Sequence, residues 1–423
     1  MIYGYYRALY ATSKDRLFAV VGSALYEIYS NYTSVKRGTI NTHAGHVGMS
    51  ENETQLIIVD NIDGWIYTFA TNTLERITAG GFVPGSHVIN INGVFVANRT
   101  NTGEFAWSGP TRDGKLWDPL DYATAEGSPD NLLAIKKLNN EAWMFGAKTT
   151  EIWYDTGDAS SRFQRVNGAF FDIGTSAKQS PAVLGTTVFW LGSDQRGQGI
   201  VWSATNYVPQ RVSTHAIEYI IGKMDTISDA IGFCYQQEGH FYYVLTFPSG
   251  DRTLVYDQKT QMWHERGCIK ADGTNGRHHA ACHAFCWGKN LIGDYENSNL
   301  YELDLDTFTD NSGPIKRVRT GPHIHKDRKR LFFHEFEIDL ERGTGTTTGQ
   351  GADPKIVLQC SDDGGMTWGN EIQMNIGRIG KYLTRAHKHR LGMSRDRVFR
   401  VIVTDPASCV LIGARADIEI EED

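Results

Sequence analysis

Chemistry-bearing residue types gather in a few places along this 423-residue chain. The stretch RHHAACHAFCW (277–287) offers His278, His279, Cys282, His283 and Cys286, nitrogen and sulfur donors of the kind that hold zinc. Their spacing matches no closed finger. In a strand, His278, Cys282 and Cys286 would recur every four residues along one face, leaving poor room for four ligands on one ion. A packed strand with a polar edge is expected there, and no metal. The stretch SDDGGMTW (361–368) matches the Asp-box pattern S-x-D-x-G-x-T-W through Ser361, Asp363, Gly365, Thr367 and Trp368. Asp363 is expected to accept backbone amides in a turn that Gly365 relaxes, with Trp368 packed below. Such a box is a folding element, so it predicts a hairpin and not catalysis. SDQRGQG (193–199) is glycine-rich without phosphate-loop or dinucleotide spacing, and reads as an inter-strand loop. Asp304 and Asp306 read as solvated turn carboxylates. No Ser-His-Asp set emerges. The chain is therefore expected to carry no catalytic residue, no cofactor and no metal.

Charge is the stronger signal. Lys316, Arg317, Arg319, Lys326, Arg328, Lys329 and Arg330 form one basic tract, and Arg378, Lys381, Arg385, Lys388, Arg390, Arg395, Arg397 and Arg400 a second. Against a net charge of −7, these tracts imply segregated charge. They read either as an interface with an acidic neighbour or with phosphates, or as solvated strand faces with local carboxylates. The interface expectation is placed on the first tract.

The elements that must position these residues are strands. A hairpin phrase recurs: an aromatic-rich strand, a glycine-containing turn, and a second strand ending in an aromatic. Clear copies are LFAVVGSALYEI (17–28), AWMFGAKTTEIWYD (142–155), VFWLGSDQRGQGIVWS (188–203) and CWGKNLIGDYENSNLYELD (286–304). The marker aromatics Tyr26, Tyr67, Trp107, Trp153, Trp202, Tyr256 and Tyr301 stand 41, 40, 46, 49, 54 and 45 residues apart. Propeller blades repeat at about 40–50 residues. Isolated hairpins are marginal in water, so each unit must stack on its neighbours. The expectation is an all-β chain, with a β-propeller of six or seven kelch-like blades over residues 1–315 and a basic linker over 316–330. A C-terminal β-sandwich-like domain carrying the Asp-box hairpin follows over 331–423. One helix is expected within 214–224, capped by Thr214, with Ile217, Ile220 and Ile221 on one face. The Gly/Thr-rich segment 343–353 reads as a mobile loop.

Composition agrees with a folded, water-exposed body: 40% hydrophobic and 22% charged residues, with 44 glycines for turns and 10 Trp, 19 Tyr and 19 Phe for strand faces. The negative balance argues against a protein that coats nucleic acid over its whole surface. The six cysteines lack disulfide-scaffold spacing and read as reduced, in keeping with assembly in a cytoplasm. No signal peptide or membrane-spanning run is evident.

Several long blocks resemble one family in the same order: WDPLDYATAEGSPDNLLAI (117–135), EIWYDTGDA (151–159), FWLGSDQRGQGIVW (189–202), QRVSTHAIE (210–218), TISDAIGFCYQQEGHFYYVLTFP (226–248), LIGDYENSNLYELD (291–304) and SRDRVFRV (394–401). These are similar to the packaged-DNA stabilisation proteins of short-tailed phages, also called tail hub or nozzle proteins. The resemblance implies a non-enzymatic virion tail protein, assembled in the host bacterial cytoplasm. It implies a hexameric ring below the portal and its adaptor that extends the DNA channel and retains the genome. It also implies that the ring carries a tail fibre or tailspike and a plug or needle protein, with no membrane insertion. Related chains have a further segment before the first repeat. The alternative is a propeller-fold glycan hydrolase or lyase (a depolymerase), or a glycan-binding module, resting on the Asp box and on aromatics that stack on sugars. It requires converging carboxylates in the propeller's central pocket.

Overall fold

The computed structural model describes residues 4–109, 111–125, 127, 129–158, 161–193 and 197–421. It divides into two units, residues 1–267 with 276–303, and residues 268–275 with 304–423.

The first unit holds seven antiparallel sheets in chain order, over residues 6–39, 48–76, 88–124, 132–171, 174–211, 231–267 with 276–277, and 280–302. They are propeller blades, seven among the described residues. All seven marker aromatics fall on the third strand of their blade, from Tyr26 in Ala24–Ile28 to Tyr301 in Leu300–Glu302. The recurring hairpin is thus the middle of each blade, where both faces are covered by neighbouring blades. That is why its strands read as unbroken apolar runs: Leu17–Val21, Gln55–Val59 and Val94–Asn98 are buried at every position.

Between blades the contacts are aromatic and aliphatic. Phe105 meets Trp153 edge-on at 5.2 Å, and Phe145 lies 5.6 Å from Trp190. The first and last blades close the ring through one cluster that joins Tyr6, Leu9, Leu17 and Ala19 to Cys282, Ala284, Cys286 and Leu291. Among the described residues each blade is built from one continuous segment, and no strand is exchanged between the ends.

The helix forms at His215–Gly222, between the fifth and sixth blades, where the marker spacing is longest. The Thr214 hydroxyl accepts from the Ile217 amide, and Ile217 and Ile221 enter the core beside Leu191, Val201 and Leu245.

The second unit is a sandwich. One sheet orders Arg317–Thr320, Asp396–Val403, Lys355–Ser361 and Ile372–Asn375, and the other orders Ala386–Ser394, Leu331–Leu340 and Leu411–Ile420. Phe336 stacks on Phe399 at 4.2 Å in the core between them. The basic stretch expected as a linker is a working edge of this sandwich: Arg317–Thr320 and Ile324–His325 both pair with Asp396–Val403. Its proline, Pro322, and dense charge masked a strand, Arg317–Thr320, whose side chains stay outside the core. The loop expected to be mobile is also tied down. Thr344 Oγ1 donates to the Ser408 carbonyl, Thr346 N to Gly351 O, and a short 3-10 turn forms at Gln350–Ala352.

Candidate functional site

The innermost strands of all seven blades line one cavity of about 640 Å³ on the propeller axis. Its wall carries cations and imidazoles. His46 stacks on His87 at 6.3 Å, and Lys136 lies beside them. Burial first, then the Lys136, Lys178 and Arg7 charges, holds the His46 imidazole down to about 3, and His87 is likewise lowered. Burial also lowers Lys136. Two carboxylates reach the cavity from one loop, and each is engaged elsewhere. Glu51 accepts from the Ser13 amide, and Glu53 lies 3.5 Å from Arg112. The converging pair that glycoside hydrolysis requires finds no support in this arrangement. Sequence reasoning missed Arg7, a buried residue that donates to the carbonyls of Gly22, Thr42, Gly45 and Ala44 and so pins the crossing from the first blade to the second. A lone arginine in an apolar strand was the available signal.

The first basic tract is split by its partners. Arg317 is half-buried, and its guanidinium donates to the carbonyls of Ala407 and Asp405. Arg330 pairs with Glu421 at 3.3 Å, and Lys326 lies 3.6 Å from Asp327. Lys329 is half-buried, and its amide closes a turn onto Lys326 O. Lys316, Arg319 and Arg328 are exposed and have no side-chain partner among the described residues. Arg319 stands on Arg317–Thr320, an edge strand whose outer backbone is unpaired within its sheet.

The second tract is mostly paired within the chain, though six of its eight residues are exposed. Arg397, only 4% exposed, forks onto Asp362 at 2.6 and 2.8 Å and donates to Leu391 O. Arg385 forks onto Glu337, Arg378 pairs with Asp353, and Arg400 donates to Gln359 with its guanidinium 3.9 Å over Trp368. Arg395 donates to the Arg328 carbonyl, while Lys381, Lys388 and Arg390 stay exposed. For this tract the local-partner reading describes most members.

The Asp-box hairpin is a closed hydrogen-bond unit. Asp363 accepts from Thr367 N through both oxygens at 2.9 Å and from Ser361 Oγ at 2.7 Å, and Ser361 Oγ accepts from Gly365 N. The Thr367 and Ser361 hydroxyls, followed by the Thr367 amide, hold the Asp363 carboxyl far below the usual range. Gly364 and Gly365 adopt φ of 75° and 93°, which glycine alone takes without strain. The Asp363 and Ser361 oxygens bond within their own turn, while Asp362 turns out to the Arg397 fork.

The His/Cys stretch does not converge on an ion. Cys282 and Cys286 face the cluster that closes the ring, while His283 turns the other way, stacks on Phe233 at 5.4 Å and contacts Asn290 Oδ1. All six cysteines are free thiols. In the loop at 193–199, residues 194–196 lie outside the described residues. No helix among the described residues is long and apolar enough to cross a membrane.

A family model for bacteriophage P22 Gp10, beta-propeller, matches residues 2–308, and one for bacteriophage P22 Gp10, beta-sandwich, matches residues 316–419. The chain belongs to the phage Gp10 stabilisation family. It is a phage structural protein of the packaged-DNA stabilisation class, a virion component with two domains in the family's order. Among curated proteins none matches the sequence. Solved structures offer looser likenesses. The N-terminal domain of Nup159 aligns at 9% identity with a TM-score of 0.41, over 70% of this chain and 89% of that one. The extracellular domain of the one-component system BT4673 from B. thetaiotaomicron aligns at 10% identity with a TM-score of 0.44, over 92% and 53%. Both are too loose to bear on function.

Proposed function

We propose that this Gp10-family chain is a tail nozzle that works by geometry and not by turnover. Six copies pack as wedges around an axis, with unlike surfaces meeting so that the ring closes. The ring sits below the portal adaptor, extends the DNA channel, retains the genome with the help of a plug or needle, and carries fibres or spikes. Assembly takes place in the host cytoplasm, and the finished ring belongs to the virion tail.

The observation that carries this reading is the edge strand Arg317–Thr320 with its unpartnered cations. An open backbone edge next to Lys316, Arg319 and Arg328 suits an acidic strand or loop of a neighbour: a second copy or the adaptor. The same charges discourage the edge from pairing with itself before that neighbour arrives. The test is the double variant Arg319→Glu/Arg328→Glu in the phage genome. It is expected to fold as the parent does and to leave heads that lose their DNA. Virions produced at the parental yield would overturn the interface assignment. Electron microscopy of the parental particle would separately show whether the chain forms a sixfold ring at the capsid exit.

A further inference from the structure

We propose that Glu335, His387 and His389 form a surface site for one divalent first-row transition ion of the zinc class. Leu331–Leu340 is the central strand of the three-stranded sheet and pairs with Ala386–Ser394. In that register Glu335 stands opposite His389, and Glu337 opposite His387. Residues directly opposite share a face, and residues two apart on one strand also share it. The three side chains therefore rise together from the face turned away from Phe336 and Ile338, which belong to the core.

Their donor atoms lie within 4.8 Å of one another. His389 Nε2 is 3.8 Å from Glu335 Oε1, and the two imidazoles are 5.0 Å apart and nearly perpendicular. A tetrahedral ion with bonds of about 2.0–2.2 Å needs its ligand atoms roughly 3.3 Å apart. The shift required is on the order of 1 Å, within reach of half-exposed side chains that can change torsion.

A second observation points the same way. His387 Nδ1 lies 3.3 Å from the Arg385 carbonyl oxygen. That contact assigns the proton to Nδ1, which donates, and leaves the Nε2 lone pair free. A metal-bound imidazole is oriented in this manner by a backbone carbonyl.

The nearest competitor is already engaged. Arg385 approaches Glu335 Oε1 at 3.3 Å, but its fork is occupied by Glu337 at 2.8 and 2.7 Å, and Arg415 Nε also donates to Glu337. Among the described residues the contacts to Glu335 use Oε1, which leaves Oε2 for an ion. Two imidazoles and one carboxylate favour zinc, cobalt, nickel or copper over calcium or magnesium, which take oxygen ligands. With three protein ligands the site keeps an open position, for water or for a donor from a neighbouring molecule. An ion there would fasten the edge strand Ala386–Ser394 to the central strand.

The test uses the tag-free full chain, stripped with EDTA and titrated with Co²⁺ by visible absorbance, then with Zn²⁺ in a thermal melt. One Co²⁺ per chain with tetrahedral d–d bands is expected, together with a zinc-dependent rise in melting temperature. His389→Gln and Glu335→Gln should each weaken binding roughly 10-fold or more, since even outer partners of metal ligands are worth about 10–100-fold. Both variants should melt in EDTA as the parent does. A control, His325→Ala, should bind as the parent does. If His387→Ala/His389→Ala retained the parental stoichiometry and affinity, the ion would sit among the other histidines and the site would be refuted. Failure of the parent to bind Co²⁺ at micromolar concentration would refute it equally.

Discussion

Gly293 in the last blade sits so close to Tyr6 in the first that a Cβ on it would stand 2.3 Å from the tyrosine Cγ. Tyr6 is 2% exposed, and its ring belongs to the cluster that closes the propeller. The glycine is there for close approach and not for its backbone angle.

Gly293→Ala is therefore expected to wedge the seam open and to cost about 1–3 kcal/mol, the usual range for overpacking a tight core. Urea denaturation of the full chain measures this. Tyr6→Leu added to Gly293→Ala should recover part of the loss through a coupling energy that a double-mutant cycle extracts. A Gly293→Ala chain as stable as the parent would show that the seam has slack.

The axial imidazoles predict an acid sensitivity with a definite sign. The folded protein holds His46 near 3 while its ordinary value is 6.5, so below 6.5 the unfolded chain binds the proton and the folded one does not. The stability this confers is complete above pH 6.5 and is lost as pH falls from there toward about 3. His87 adds in the same direction, and Lys136, Lys178 and Arg7 are the cations that oppose protonation. His46→Gln should lose less stability than the parent between pH 6.5 and 4. Parallel curves for the two proteins would sink this account.

The buried Arg397 predicts that charge alone is not enough in the sandwich. Its fork on Asp362, its bond to Leu391 O and its position 4.6 Å over the Phe333 ring all use the planar guanidinium. Lysine cannot reproduce that fork. Arg397→Lys is expected to cost roughly 2–3 kcal/mol, and Asp362→Asn about 1 kcal/mol, because Asp362 is half-exposed and water takes its place in part. Two-step denaturation that resolves the sandwich transition checks both values.

The propeller was legible because its repeat is written in aromatics. A large ring on the third strand of every blade must face a neighbouring blade, so its spacing survives changes in loop length. The longest gap before Tyr256 holds the helix His215–Gly222, and Thr214 with Ile217 and Ile221 announced it. The seventh blade was harder to count, since only three strands make it, and its last, Leu300–Glu302, is short. Local patterns could not show that Arg317–Thr320 pairs with Asp396–Val403, because partners some 80 residues apart leave no mark on either segment. The same holds for Glu335 and the His-x-His pair at 387 and 389. The two histidines on an alternating strand were a readable signal, but the carboxylate opposite them required the register.

The seam where the propeller's ends meet is bridged by side chains, with Trp287 Nε1 on Asp15 O and Lys289 Nζ on the Tyr32 hydroxyl. Among the described residues no main-chain hydrogen bond crosses it. Under mechanical load, such a joint can part and reseat without unravelling a single strand. Mechanically it behaves as a clasp, and a blade laced by a borrowed strand would behave as a weld.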